Sequence, residues 1–127
     1  MTDATLLRET ILFAGLNDAA LESIVQASTE RRLRRGDVLF AEGDSPDALY
    51  VVESGRIAIA NRNSLGRESV VALMETGDLF GEMGLFDGHG RSAEARALEA
   101  CVVSEIPYEP VQQLYEADTA LLWQAIN

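Results

Sequence analysis

The chain has 127 residues, enough to bury one apolar core without a disulfide or metal staple, so a single domain over residues 1–127 is expected. With 10 Lys and Arg against 21 Asp and Glu, the formal net charge is −11, which repels a nucleic-acid backbone and puts any DNA contact outside these residues. Cys101 is the only cysteine and His89 the only histidine, which excludes an intrachain disulfide and a cysteine cluster for zinc or iron–sulfur.

A lone thiol fits a reducing cytoplasm. Met1-Thr2-Asp3-Ala4-Thr5 lacks the basic flank and apolar core of a signal peptide, and no apolar run reaches membrane-spanning length, so a soluble chain without a membrane partner is expected. Leu6, Leu7, Ile11, Leu12 and Phe13 gather on one side of a helical period, and Gly15 interrupts them. Asn17 then offers a cap for a second helix, with Asp18 and Glu22 in its first turns and Leu21, Ile24, Val25 and Ser28 at helical spacing. Residues 1–29 therefore read as N-terminal helices.

From residue 30 to 107 the pattern changes to short segments separated by turn residues. Strands are expected over Arg31–Arg35, Val38–Ala41, Ala48–Glu53, Arg56–Asn61, Arg67–Leu73, Leu79–Gly81, Ser92–Ala97 and Cys101–Ile106. Turn chemistry divides them at Gly36-Asp37, Gly43-Asp44-Ser45-Pro46, Ser54-Gly55, Ser64-Leu65-Gly66 and Gly77-Asp78. Alternation puts Ile57 and Ile59 on one face and Arg56, Ala58 and Ala60 on the other. This is a mainly β pattern, and an eight-stranded jelly roll, the double-stranded β-helix, is the expected architecture. Arg31, Arg32, Arg34 and Arg35 flank an inward Leu33 and read as solvated ion-pairing groups. Cys101, beside Val102 and Val103 with no base in reach, reads as a buried thiol and not a nucleophile.

Between the sixth and seventh strands lies Gly-Glu-Met-Gly-Leu-Phe-Asp-Gly-His-Gly-Arg-Ser-Ala, residues 81–93. Gly81, Gly84, Gly88 and Gly90 let backbone N–H groups turn toward a guest, Met83 opens a short helical segment, and Arg91 and Ser92 supply a guanidinium and a hydroxyl. An anion cradle for a sugar phosphate is one reading. A plain glycine-rich connection, with Arg91 solvated and Glu82 at a helix start, is the other. Beyond Pro107 the composition turns helical again over Tyr108–Tyr115, with Val111 and Leu114 at the right spacing. Asp118 or Thr119 caps a further helix continued by Leu121, Leu122 and Ile126, so residues 108–127 are the C-terminal helices. No stop signal follows before Asn127, and a continuation beyond it is expected; Trp123 packs either on a partner helix or in the core.

This arrangement resembles the cyclic-nucleotide-binding domain of bacterial regulators of the cyclic-AMP receptor protein/FNR type. The resemblance rests on Leu12-Phe13-Ala14-Gly15-Leu16, the Gly36-Asp37 and Glu42-Gly43-Asp44 turns, Leu49-Tyr50-Val51-Val52-Glu53-Ser54-Gly55, and Gly77-Asp78-Leu79-Phe80-Gly81-Glu82 leading to Arg91-Ser92-Ala93. It implies a phosphate-binding cassette at 81–93. Glu82 would accept from the ribose 2′-hydroxyl, Arg91 would pair with the cyclic phosphate, Ser92 would add its hydroxyl and N–H, and the backbone at Gly81, Gly84 and Leu85 would complete the cradle. Ile59, Val71 and Met74 would face sugar and base. The resemblance further implies cyclic AMP, or another cyclic nucleotide, as regulatory ligand, with no metal and no catalytic residue, in a homodimeric parent whose DNA binding lies in a further C-terminal domain. His89 is expected to be an exposed loop residue. Two other readings stand beside this one: the same fold as a sensor of another small anion or as a ligand-free interaction module, and a metal-dependent jelly-roll enzyme, which one histidine does not support.

Overall fold

A computed structural model of the chain describes residues 2–126; the side chains of Leu122, Gln124, Ala125 and Ile126 lie outside the description, so the expected apolar roles of Leu122 and Ile126 do as well. The elements run α1 (Ala4–Arg8), α2 (Asp18–Ala27), β1 (Thr29–Leu33), β2 (Val38–Phe40), β3 (Ala48–Ser54), β4 (Ile57–Arg62), β5 (Glu68–Met74), β6 (Leu79–Phe80), α3 (Met83–Asp87), β7 (Glu94–Ala97), β8 (Cys101–Pro107), α4 (Tyr108–Ala117) and α5 (Thr119–Ile126).

The eight strands form two antiparallel four-stranded sheets, ordered β1-β8-β3-β6 and β2-β7-β4-β5. Neighbours far apart in sequence, such as β1 with β8 and β2 with β7, give the wound topology of a jelly roll. At β3 the first sheet is covered on both faces. On β3, Leu49 and Val51 join the helices, packing with Leu7, Phe13, Ile24 and Val111. Tyr50 and Val52 turn inward, packing with Leu33, Ile57, Phe80 and Val103. Strand β3 therefore reads as an almost unbroken apolar run, since both of its faces are out of water.

Local signals account for most boundaries. Asn17 caps α2 by accepting from the Ala20 amide at 2.8 Å, and Asp118 accepts from the Ala120 amide at 3.1 Å at the head of α5. The expected first helix is cut short. Thr10 sends its amide and its hydroxyl to the Leu7 carbonyl, at 3.0 and 2.7 Å, a tighter bond pattern that ends the α ladder, and Leu12 and Phe13 reach the core from a turn. Leu33 is buried with Arg31 paired to Glu105, and Cys101 is buried, both as expected.

The alternation expected of β4 is seen: Ile57 and Ile59 join the roll interior and Ala58 and Ala60 do not, although both alanines are as buried as Ile57. Ala58 and Ala60 are paired in register with Arg96 and Glu94 of β7, and Arg96 pairs with Glu68 of β5 and with Glu94. Trp123 is 62% exposed and is not core.

Candidate functional site

The β6–α3 junction and the return into β7 meet at the mouth of the roll around a cavity of about 420 Å³. Gly81, Glu82, Met83 and Gly84 line it from one side, and Arg91, Ser92 and Ala93 from the other. Ile59 and Met74 form part of its apolar wall, from β4 and β5. Nine of the eleven expected site residues thus share one space.

Two do not. Leu85 packs on the helix-side core, and its amide already donates to the Glu82 carbonyl at 2.9 Å. Val71 is 58% exposed: pairing jumps from Ile59–Ala72 to Ala60–Val70, so Val71 is the unpaired residue of a β-bulge and is taken off the wall. The resemblance that assigned Val71 to the wall carries no sign of such an insertion.

Backbone geometry makes the cradle possible. Gly81 has φ +79°, and a Cβ there would lie 3.0 Å from Arg91 Nη1 and 3.2 Å from the Tyr50 ring. Gly84 is required for another reason: a Cβ would sit 2.3 Å from Pro46, so only glycine lets α3 lie against the β2–β3 loop. That loop also clamps the far end of the cassette, the Gly43 amide donating to the Arg91 carbonyl at 2.7 Å and the Arg91 amide to Asp44 at 2.8 Å.

Arg91 is the only residue with a permanent positive charge among those lining the cavity, and it is 8% exposed. Burying a cation costs free energy unless its donors are met. Here Nη2 donates to the Ala48 carbonyl at 2.5 Å, and Nη1 to the Gly81 carbonyl at 2.7 Å and to the Tyr108 hydroxyl at 3.3 Å. The guanidinium carbon lies 4.1 Å from the Phe40 ring centroid, a cation–π contact on a cluster in which Phe40, Tyr50 and Phe80 also touch. A guanidinium has five donors. The Nε–H and one Nη2–H therefore meet no acceptor among the described residues, and such charged donors suit phosphate oxygens.

Across the space, Glu82 heads α3 without capping it, and no hydrogen bond or ion pair engages its carboxylate among the described residues. An ionised carboxylate only accepts, so it suits a hydroxyl donor. Ser92 presents an exposed side chain. His89 is exposed and its amide donates to Asp87 at 2.8 Å, fixing a turn. Burial, opposed by the Arg91 charge, raises the Tyr108 phenol above its usual range; burial and the Glu105 carboxylate push Tyr50 to about 12. Among the described residues no group of three or more His, Cys, Asp or Glu could hold a metal ion, and no helix is long and apolar enough to cross a membrane.

Sequence reasoning missed Phe40, Pro46 and Tyr108. Their only signal is type: an aromatic or a proline near a turn, with nothing to show which loop each would meet.

A jelly roll with a glycine-flanked helical insert, one buried cation and one carboxylate facing a common cavity is a frame suited to a small anionic ligand. Residues 30–118 match the family model of the cyclic nucleotide-binding domain, and the chain belongs to that family. It is 35% identical over 85 residues to the cAMP-activated global transcriptional regulator CRP of Salmonella typhimurium, covering 66% of this chain and 40% of that one. It is 31% identical over 107 residues to the cAMP-activated global transcriptional regulator Vfr of Pseudomonas aeruginosa, covering 81% and 50%. The chain thus spans half or less of the length of these relatives. The N-terminal domain of a transcriptional regulator from Streptomyces coelicolor A3(2) superimposes with a TM-score of 0.80 at 31% identity, over 95% of this chain and 86% of that one.

Proposed function

We propose that this domain binds a cyclic nucleotide, cyclic AMP before others, as a regulatory sensor and not as an enzyme. In a longer, cytoplasmic and dimeric parent regulator, occupancy would govern DNA binding through a domain beyond these residues. Residues 1–127 act as one unit in this reading, the roll at 30–107 holding the cassette 81–93 between two sets of helices. The observation that carries it is Arg91, the one permanent cation on the cavity, held by protein acceptors with two donors left over. Glu82 supplies the matching acceptor for a ribose hydroxyl, Ser92 a hydroxyl, and Ile59 and Met74 an apolar wall for sugar and base. The names of the CRP and Vfr relatives, both cAMP-activated regulators, support the same ligand.

The mechanism requires no bond to be made or broken. A phosphate entering the cavity takes the open donors of Arg91 in a desolvated setting, where a charge-assisted hydrogen bond contributes about 1.5–3 kcal/mol. The net charge of −11 repels an anion at long range, so this local cation must supply the attraction. Calorimetric titration with cyclic AMP, cyclic GMP and non-cyclic 5′-AMP tests the reading. Saturable heat with a cyclic nucleotide and much weaker heat with 5′-AMP is expected; a folded sample that binds none of the three favours a different small anion or a ligand-free role.

A further inference from the structure

Tyr108 does not line the cavity; it stands behind Arg91, at the first position of α4. We infer that Tyr108 is a positioning residue, whose phenol fixes the orientation in which Arg91 presents its open donors and so ties anion affinity to the head of α4. The inference rests on the cyclic-nucleotide reading above and extends it to a residue outside the cassette.

The geometry is a closed triangle. Arg91 Nη1 donates to the Gly81 carbonyl at 2.7 Å and to the Tyr108 hydroxyl at 3.3 Å, and that hydroxyl donates to the same Gly81 carbonyl. The phenol is fixed from behind. Its ring is buried, the Tyr108 amide donates to the Asp47 carbonyl at 2.9 Å, and Pro107 is paired with Ala48. The Ala48 carbonyl in turn accepts from Arg91 Nη2 at 2.5 Å. One two-residue segment, Asp47-Ala48, therefore holds the start of α4 and the guanidinium together. The cassette presses on the same point, since a Cβ on Gly84 would lie 3.0 Å from the Tyr108 hydroxyl. Burial, opposed by the Arg91 charge, raises that phenol above its usual range, in keeping with a hydroxyl that both donates and accepts. The planar guanidinium fixes its donors relative to one another, and such a set of partners fixes where the flexible stem aims them.

Tyr108→Phe keeps the ring and deletes only the hydroxyl. In the ligand-free protein, nitrogen-15 NMR of the arginine side chains is expected to show a hindered Arg91 guanidinium that rotates faster in the variant; an unchanged rotation rate overturns the proposal. In titrations, loss of one such hydrogen bond weakens cyclic AMP by about threefold to tenfold. Adenosine, which has no phosphate, is expected to change less than cyclic AMP, and in an Arg91→Ala background Tyr108→Phe adds nothing further. Equal weakening of cyclic AMP and adenosine, or full additivity with Arg91→Ala, is the signature of a merely structural role and also overturns it. A wild-type protein that binds no cyclic nucleotide removes the ligand reading, and the guanidinium dynamics then decide the Arg91–Tyr108 claim alone. Should Tyr108→Phe lose its cooperative unfolding transition, fluorotyrosine at position 108 alters the acidity of the phenol within the same packing; an Arg91 rotation rate it leaves unmoved overturns the proposal.

Discussion

The two faces of the β1-β8-β3-β6 sheet solve opposite problems. Toward the helices, Leu49, Val51 and Ile106 meet Leu7, Phe13, Ile24 and Val111 in an apolar core, where burial and close packing supply the stability. Toward the roll interior, the Phe40 and Tyr50 rings flank a guanidinium, with Phe80 packed on both rings, and the contacts there leave the cation oriented with donors to spare. The helix side is built to be full. The roll side packs an apolar cluster of its own but leaves two guanidinium donors open at its mouth, the donors that the proposed reading gives to a phosphate.

This contrast predicts separable effects, the largest on the helix side. Phe13→Ala empties a fully buried ring site and is expected to cost about 3–5 kcal/mol in urea unfolding, with cyclic-AMP affinity of the folded fraction unchanged. A matching loss of affinity would show that the two faces are not independent. Arg91→Ala is the converse change, expected to weaken cyclic AMP by at least about tenfold in calorimetry, as one charge-assisted contact to phosphate implies. Unchanged affinity would remove the cradle assignment. Glu82→Gln keeps the size but replaces an acceptor-only carboxylate, and a loss of about threefold to tenfold is expected for cyclic AMP, with a smaller loss for its 2′-deoxy analogue.

The smallest effect is a pH dependence on the helix side. Burial pushes Tyr115 to about 12, and its hydroxyl donates to the Leu12 carbonyl at 2.6 Å. A phenol whose folded value is raised favours the protonated, folded state. Its contribution is complete below pH 10 and is lost as pH rises toward 12, at a slope on the order of 1 kcal/mol per pH unit. Tyr115→Phe should flatten that slope in unfolding measured between those values. An unchanged slope would leave Tyr50, also near 12, as its source.

What the sequence made readable follows from these physics. The strand runs, the glycine turns and the Asn17 and Asp118 caps are local signals, and they recovered all eight strands with small shifts at the ends. The cassette residues were readable as a contiguous motif. The parts that hold Arg91 were not: two acceptors are backbone carbonyls, which every residue has, and Tyr108 is 17 positions away along the chain. Val71, assigned to the wall by the resemblance, lies off the cavity because a β-bulge turns it out, and a motif carried over from a family does not register a local insertion.

The bulge that moved Val71 off the wall has a second effect, on behaviour in crowded solution. Strand β5 is one of the two edges of its sheet and exposes Val70, Val71 and Leu73, the profile of a strand that recruits other strands. The extra residue bends and twists that edge, so a second chain cannot add a flat, in-register partner along it. With a net charge of −11 repelling like molecules, the same irregularity that turns one valine out of the cavity works against strand addition along this edge.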